Sequence, residues 1–263
     1  MKKAEFDQLT TTLTNNLNNH PDVLGLVACG SMADQDYRPD PWSDHDFFVI
    51  VKTGTQSQFK QDLSWLPYAD QIVLSFQETE HGMKVLYRFG HLLEFAVFAE
   101  EDLDVVRLNR FATLIDKAAV DQVMTERARE TAVSAAANPT SDHSLLGQFL
   151  ANIFVGVGRY ARGEQISGRI FVNTYAVGHL LKLLTRHFDA PEKSVLDNLD
   201  PYRRFERVYP EIGRQLNGAL NRPTLPAASA LLSLSETLLS DKISQFPHDA
   251  VMTIRNYIDA QIF

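Results

Sequence analysis

The residues best equipped for chemistry lie in one stretch, "VACGSMADQDYRPDPWSDHDFFVIV", residues 27–51. Asp44 and Asp46 flank His45 at the mouth of the apolar run "FFVIV". Side chains alternate faces along a β-strand. Asp44 and Asp46 therefore share a face with Phe48 and Ile50, and His45 turns to the other side with Phe47 and Val49. Adjacent carboxylates repel, and each raises the other's pKa unless something positive sits between them. A hard divalent cation answers that need: Mg²⁺ takes oxygen ligands and is commonly held by one or two carboxylates plus substrate phosphates. The competing explanation is a loop-to-strand junction with solvated or capping charges. Asp-x-Asp by itself does not separate the two.

Two further features bear on the choice. "ACGSMA" ends an apolar strand in Gly30-Ser31, and "SMADQ" can open a helix. Such a turn offers backbone N–H groups to a phosphate, Gly30 by close approach and Ser31 by its hydroxyl; an ordinary turn with Ser31 as helix cap fits as well. Glu94 interrupts the apolar strand "HLLEFAVF". Burying a lone carboxylate is expensive, so Glu94 lies either at an exposed edge or beside Asp44 and Asp46 as a third acid.

The elements that must position these residues are readable from the pattern. Apolar runs "VLGLVA", "DHDFFVIV", "QIVLSF", "KVLYRF" and "LLEFAVF" between residues 23 and 98 are rich in β-branched and aromatic residues and read as strands. The last two form a hairpin around Gly90. Phe6, Leu9, Leu13 and Leu17 recur at helical spacing over residues 3–19. Beyond about residue 103 the texture turns helical: Ala-rich "TERARETAVSAAANP", then apolar residues three and four apart over 142–188, and further segments near 202–220, 225–240 and 247–262. The expected fold class is α+β: a front domain with a mixed sheet flanked by helices (1–103), then a helical bundle (104–263), the boundary falling between 103 and 142.

Composition narrows the function. Among 263 residues the formal net charge is −8, with no dense Lys/Arg cluster; nucleic-acid binding is not expected. No apolar run is long enough to span a membrane. Cys29 is the only cysteine, so no intrachain disulfide forms, and it reads as a small buried residue. Without an apolar stretch after "MKK", a cytoplasmic location is expected. His-Glu-x-x-His and Gly-x-Gly-x-x-Gly in a strand-to-helix context are both missing.

Gly30-Ser31, then Asp44-His45-Asp46 opening an apolar strand, then Glu94 in a later one: this combination resembles the nucleotidyltransferase superfamily related to DNA polymerase β. Ala33 matches the family pattern, while Gln35 stands where glycine is common. "RYARGEQISGRIFVNTYAVGHLLKLL" and "LDPYRRFERVYP" resemble the helical domain of bacterial small-molecule nucleotidyltransferases of the aminoglycoside and lincosamide resistance type. The resemblance implies an enzyme that moves a nucleoside monophosphate, AMP by expectation, from the triphosphate to a hydroxyl of a small molecule, releasing pyrophosphate. It implies Mg²⁺ on Asp44, Asp46 and Glu94, with Glu94 as third ligand or general base. It gives Gly30, Ser31, Ser43 and Lys52 to the nucleotide, Ser43 by hydroxyl contact or merely as a strand cap. Arg88, Arg159, Arg162 and Lys182 are candidate phosphate partners. The alternatives are a protein-adenylylating enzyme and a catalytically silent nucleotide-binding module.

Overall fold

The apolar stripe Phe6, Leu9, Leu13 and Leu17 becomes the buried face of helix α1, Lys3–Asn18, in a computed structural model of the chain. The structure describes residues 1–34, 38–137, 140–197 and 199–261; Gln35 lies outside them. The chain divides into two units, Met1–Ala137 and Asn138–Phe263.

The first unit is built on six strands: β1 (Val23–Cys29), β2 (His45–Val51), β3 (Ile72–Gln77), β4 (Gly82–Tyr87), β5 (His91–Ala99) and β6 (Phe111–Asp116). They lie in the order β3-β4-β5-β2-β1-β6. β2 and β5 run parallel, and the other neighbours run antiparallel. The strand alternation sorts side chains into two cores. Leu26, Phe47, Val49, Val85, Leu93 and Phe95 pack with α1 and with Phe59 of the short helix α2, Gln56–Gln61. Val27, Ile50, Ala96 and Phe98 face the opposite side. There they meet Leu103, Val106 and Leu108, together with Val120 and Met124 of helix α3, Val120–Ala137. Each fully buried aliphatic or aromatic side chain contributes roughly 1.5–3 kcal/mol. Two such layers therefore hold the sheet rigidly along the strands that carry Asp46 and Glu94.

The expected hairpin around Gly90 is present, with Tyr87 opposite His91 and Gly90 at φ +77°. β6 pairs with β1 and α3 packs on the same sheet, so both belong to the first unit, which ends at Ala137, inside the expected window of 103–142. β6 is short and mostly half-buried, which leaves no sharp alternation to read. Its identity as a strand comes from pairing with a distant partner.

The second unit is helical: α4 (Asp142–Ala161), α5 (Gln165–Ile170), α6 (Val177–His187), α7 (Phe205–Val208), α8 (Pro210–Leu220), α9 (Thr224–Leu239) and α10 (His248–Asp259). Ser141 caps α4, its hydroxyl oxygen accepting from the Ser144 N–H at 3.1 Å. Gly156 and Gly168 let α4 and α5 approach backbone to backbone; a Cβ on Gly168 would lie 2.7 Å from the Gly156 carbonyl oxygen. A π-helical turn, Phe171–Ala176, joins α5 to α6. One core runs through the unit, from Leu145 and Phe149 to Leu231, Val251 and Ile258. Among the described residues no helix is long and apolar enough to cross a membrane.

Candidate active site

Sheet register brings the acids together. β2 and β5 align so that Asp46 and Glu94 are direct partners, and Asp44 stands one residue before β2. One carboxylate oxygen from each of Asp44, Asp46 and Glu94 lies within 4.8 Å of the others. All three residues are half-buried. Two ligands of a Mg²⁺-sized cation lie at most about 4.2 Å apart, twice its ligand distance. A small side-chain rotation therefore suffices to fit these oxygens round such an ion. The donors are oxygen only, the set suited to a hard cation.

The turn after β1 closes the site on another side. Cys29 pairs with Asp46 across the sheet, and Gly30 follows in the left-handed region at φ +53°. A Cβ on Gly30 would stand 2.9 Å from Asp46 Oδ2, so the glycine backbone lies directly against that carboxylate. Ser31 is buried in the same turn, a 3₁₀ turn over Gly30–Ala33 rather than the longer helix that "SMADQ" suggested. The Cys29 thiol is pushed up by burial and then by the charge of Asp46, which keeps it protonated and non-nucleophilic.

The remaining candidates differ in where they lie. Ser43 is tied to Asp40: its Oγ donates to Asp40 Oδ1 at 3.1 Å and accepts from the Asp40 N–H at 3.0 Å. That is a loop-fixing role just before Asp44. Lys52 lies past the far end of β2, six residues beyond Asp46 and so roughly 20 Å along the strand. It bonds Asp22 Oδ1 at 3.1 Å. It does not share the end of β2 at which Asp44 and Asp46 stand. Arg88 is exposed at the β4–β5 turn. Arg159, Arg162 and Lys182 belong to the second unit, where Arg159 donates to Ser167 Oγ and Arg162 pairs with Glu164.

The sequence reading missed two neighbours of the triad. Lys84 on β4 is the cross-strand partner of Glu94. Its Nζ lies 2.9 Å from Glu94 Oε1 and 3.0 Å from Glu78 Oε1. These contacts, Glu94 first and Glu78 next, push the ammonium up to about 12. Trp42, two residues before Asp44, is 89% exposed.

His45 faces away from the acids, as alternation requires. Its Nδ1 lies 2.7 Å from His91 Nε2, and its Nε2 lies 2.9 Å from Thr10 Oγ1. Phe6 stacks on the ring with centroids 3.7 Å apart. Both imidazoles are buried. Burial, and then the neighbouring His91, lowers His45 to about 3. Burial, and then the N-terminal ammonium, lowers His91 to about 4. These pKa values lie below the unfolded value near 6.5, so the unfolded chain binds the extra protons first. The stability this pair contributes is complete above pH 6.5 and is lost as pH falls towards 4. The expected slope is up to about 1.4 kcal/mol per pH unit for each imidazole. Melting temperature recorded from pH 7 to 4.5 should drop accordingly, and His91→Gln should flatten the curve. A curve of equal slope in the variant would show that the pair does not govern acid stability.

No protein-family model matches the chain, and no curated protein matches it significantly. Among solved structures it is similar to an aminoglycoside 6-adenyltransferase from Bacillus subtilis, with 11% identity, 100% of this chain and 99% of that chain covered, and a TM-score of 0.40. It is also similar to CdnC of E. coli MS115-1 in two structures. One is a complex with HORMA-deltaN, with 15% identity, 92% of each chain covered and a TM-score of 0.29. The other is CdnC with ATP, with 13% identity, 89% of each chain covered and a TM-score of 0.29. Identities and scores are low, so the geometry of the carboxylates, and not these likenesses, carries the functional reading.

Proposed function

We propose that the chain is a nucleotidyltransferase that moves a nucleoside monophosphate, AMP from ATP, to a hydroxyl group of a small molecule. The observation that carries this reading is the convergence of Asp44, Asp46 and Glu94 beside the Gly30 turn. In the reaction the acceptor oxygen bonds the α-phosphorus, the bond from that phosphorus to the bridging oxygen breaks, and pyrophosphate leaves. Asp44, Asp46 and Glu94 would hold Mg²⁺, which when bound offsets the charge that develops on the phosphoryl oxygens.

The chain's own groups supply the rest. Asp46 sits in β2 between the partners Cys29 and Glu94, so the sheet fixes where its side chain starts and only its own torsions remain to adjust. Gly30 leaves room beside it for a phosphate chain, and the N–H groups and Ser31 hydroxyl of the following turn are donors for that chain. Glu94 offers a third oxygen and, at the same place, an acceptor for the hydroxyl proton.

The acceptor we assign is a hydroxylated, cationic molecule of the aminoglycoside or lincosamide kind, in line with the sequence resemblance. The net charge of −8 favours approach of a cation. A cytoplasmic location belongs to the same reading. The test is pyrophosphate release with ATP, GTP, CTP and UTP over aminoglycosides, lincosamides and a protein lysate. Release that requires both a divalent cation and a small hydroxylated acceptor supports the proposal. Release only with lysate protein transfers it to a protein acceptor, and no release with any pair leaves a silent module.

A further inference from the structure

Four residues stand in one row across the sheet: Phe76, Lys84, Glu94 and Asp46, each the register partner of the next. Glu94 therefore has Asp46 on one side and the Lys84 ammonium on the other. Lys84 in turn touches a second carboxylate, Glu78, which belongs to the loop between β3 and β4 and lies outside the triad. A cross-strand Lys–Glu pair is common and worth little by itself. Here the pair engages one of three carboxylates grouped within 4.8 Å, and the lysine has another acceptor already in contact.

We infer that Lys84 is a positioning residue that sets the divalent-cation affinity of the triad: it holds Glu94 while the carboxylates are empty and is retained by Glu78 when a cation takes Glu94. This inference rests on the proposed metal site. Without Lys84, three clustered carboxylates would repel one another, and Glu94 would be free to turn outward from its half-exposed position. With Lys84, the empty site is neutralised in part and Glu94 stays aimed along the row. The cost is a positive charge close to an incoming cation. Glu78 lowers that cost, because Lys84 can keep one full ion pair after Glu94 is taken. Glu78 and Glu94 both contact Lys84 Nζ, at 3.0 Å and 2.9 Å. Their oxygens are thus at most about 6 Å apart, inside the screening length of about 8 Å at physiological salt, so Glu78 acts on the site by its own charge as well as through Lys84, and only the second part vanishes with Lys84.

The test is Mn²⁺ binding to the full chain without nucleotide, followed by electron paramagnetic resonance of the free ion at 0.15 M salt. The wild-type chain is compared with Lys84→Met, Lys84→Arg, Glu78→Gln and the double variant Lys84→Met/Glu78→Gln. Lys84→Met should bind Mn²⁺ about three- to tenfold more tightly, the size of one unit charge felt at a solvent-exposed site. Lys84→Arg should stay within about twofold of wild type. Glu78→Gln should weaken binding about threefold with Lys84 present and by a clearly smaller factor in the Lys84→Met background, the coupling expected of two residues acting as a unit. Unchanged or weaker binding in Lys84→Met overturns the inference, as does an effect of Glu78→Gln that is the same with and without Lys84. A wild-type chain that binds no Mn²⁺ overturns the metal site and this inference together, whereas wild-type binding with an indifferent Lys84→Met variant overturns this inference alone.

Discussion

Asp46→Asn should reduce nucleotidyl transfer by about a thousandfold, the scale on which single electrostatic contacts to a transition state are lost, while leaving the fold standing. Asp46 is the central acid of the row, the register partner of Glu94 and of Cys29, and its Oδ2 lies against the Gly30 turn. An asparagine has the same shape, so the half-buried position is not emptied. It also removes one of three neighbouring negative charges, and like charges at short range oppose folding. Without divalent cation the variant should therefore melt at the wild-type temperature or above it. Pyrophosphate release and thermal melting together check this. A variant that is inactive because it is unfolded would show a lowered melting temperature, and a fully active one would remove Asp46 from the mechanism.

Gly30→Ala should lower the transfer rate, by up to about a hundredfold, for a modest loss of stability. Gly30 sits at φ +53°, a conformation that costs a residue with a Cβ roughly 1–2 kcal/mol. The new methyl group would come within 2.9 Å of Asp46 Oδ2, closer than the two atoms can rest, so the carboxylate must move. The carboxylate oxygen must retreat by a few tenths of an ångström, and a displacement of about 1 Å at a reacting centre costs about a hundredfold, which bounds the loss from above. Steady-state rates and melting curves separate the two effects: the rate should fall far more than the melting temperature. Equal rates in the variant would show that the approach of Gly30 to Asp46 has no bearing on transfer.

Much of the site was legible because strand alternation is a strong local rule. It placed Asp44 and Asp46 on one face and His45 on the other, and the structure adds that Asp46 and Glu94 are register partners. The Lys84–Glu94 contact was legible too. Counting three residues back and three forward from the Tyr87–His91 pair that closes the hairpin sets them opposite. Lys52 drew attention by its charge, while its place one residue past the end of β2, six residues beyond Asp46, already carried it to the opposite end of the strand. The His45–His91 contact could not be read. It joins residues 46 apart in the chain and depends on β2 pairing parallel to β5, which no local pattern encodes. β6 was missed for the same reason: its pairing with β1 is long-range, and its own residues are mostly half-buried.

Asp44, Asp46 and Glu94 should hold a nucleoside triphosphate through a divalent cation. Isothermal titration of ATP into the wild-type chain and into Asp46→Asn, each with and without Mg²⁺, tests it most directly. ATP should bind the wild-type chain only when Mg²⁺ is present, and Asp46→Asn should abolish this binding under the same conditions. Equal binding with and without Mg²⁺, or unchanged affinity in Asp46→Asn, would contradict it.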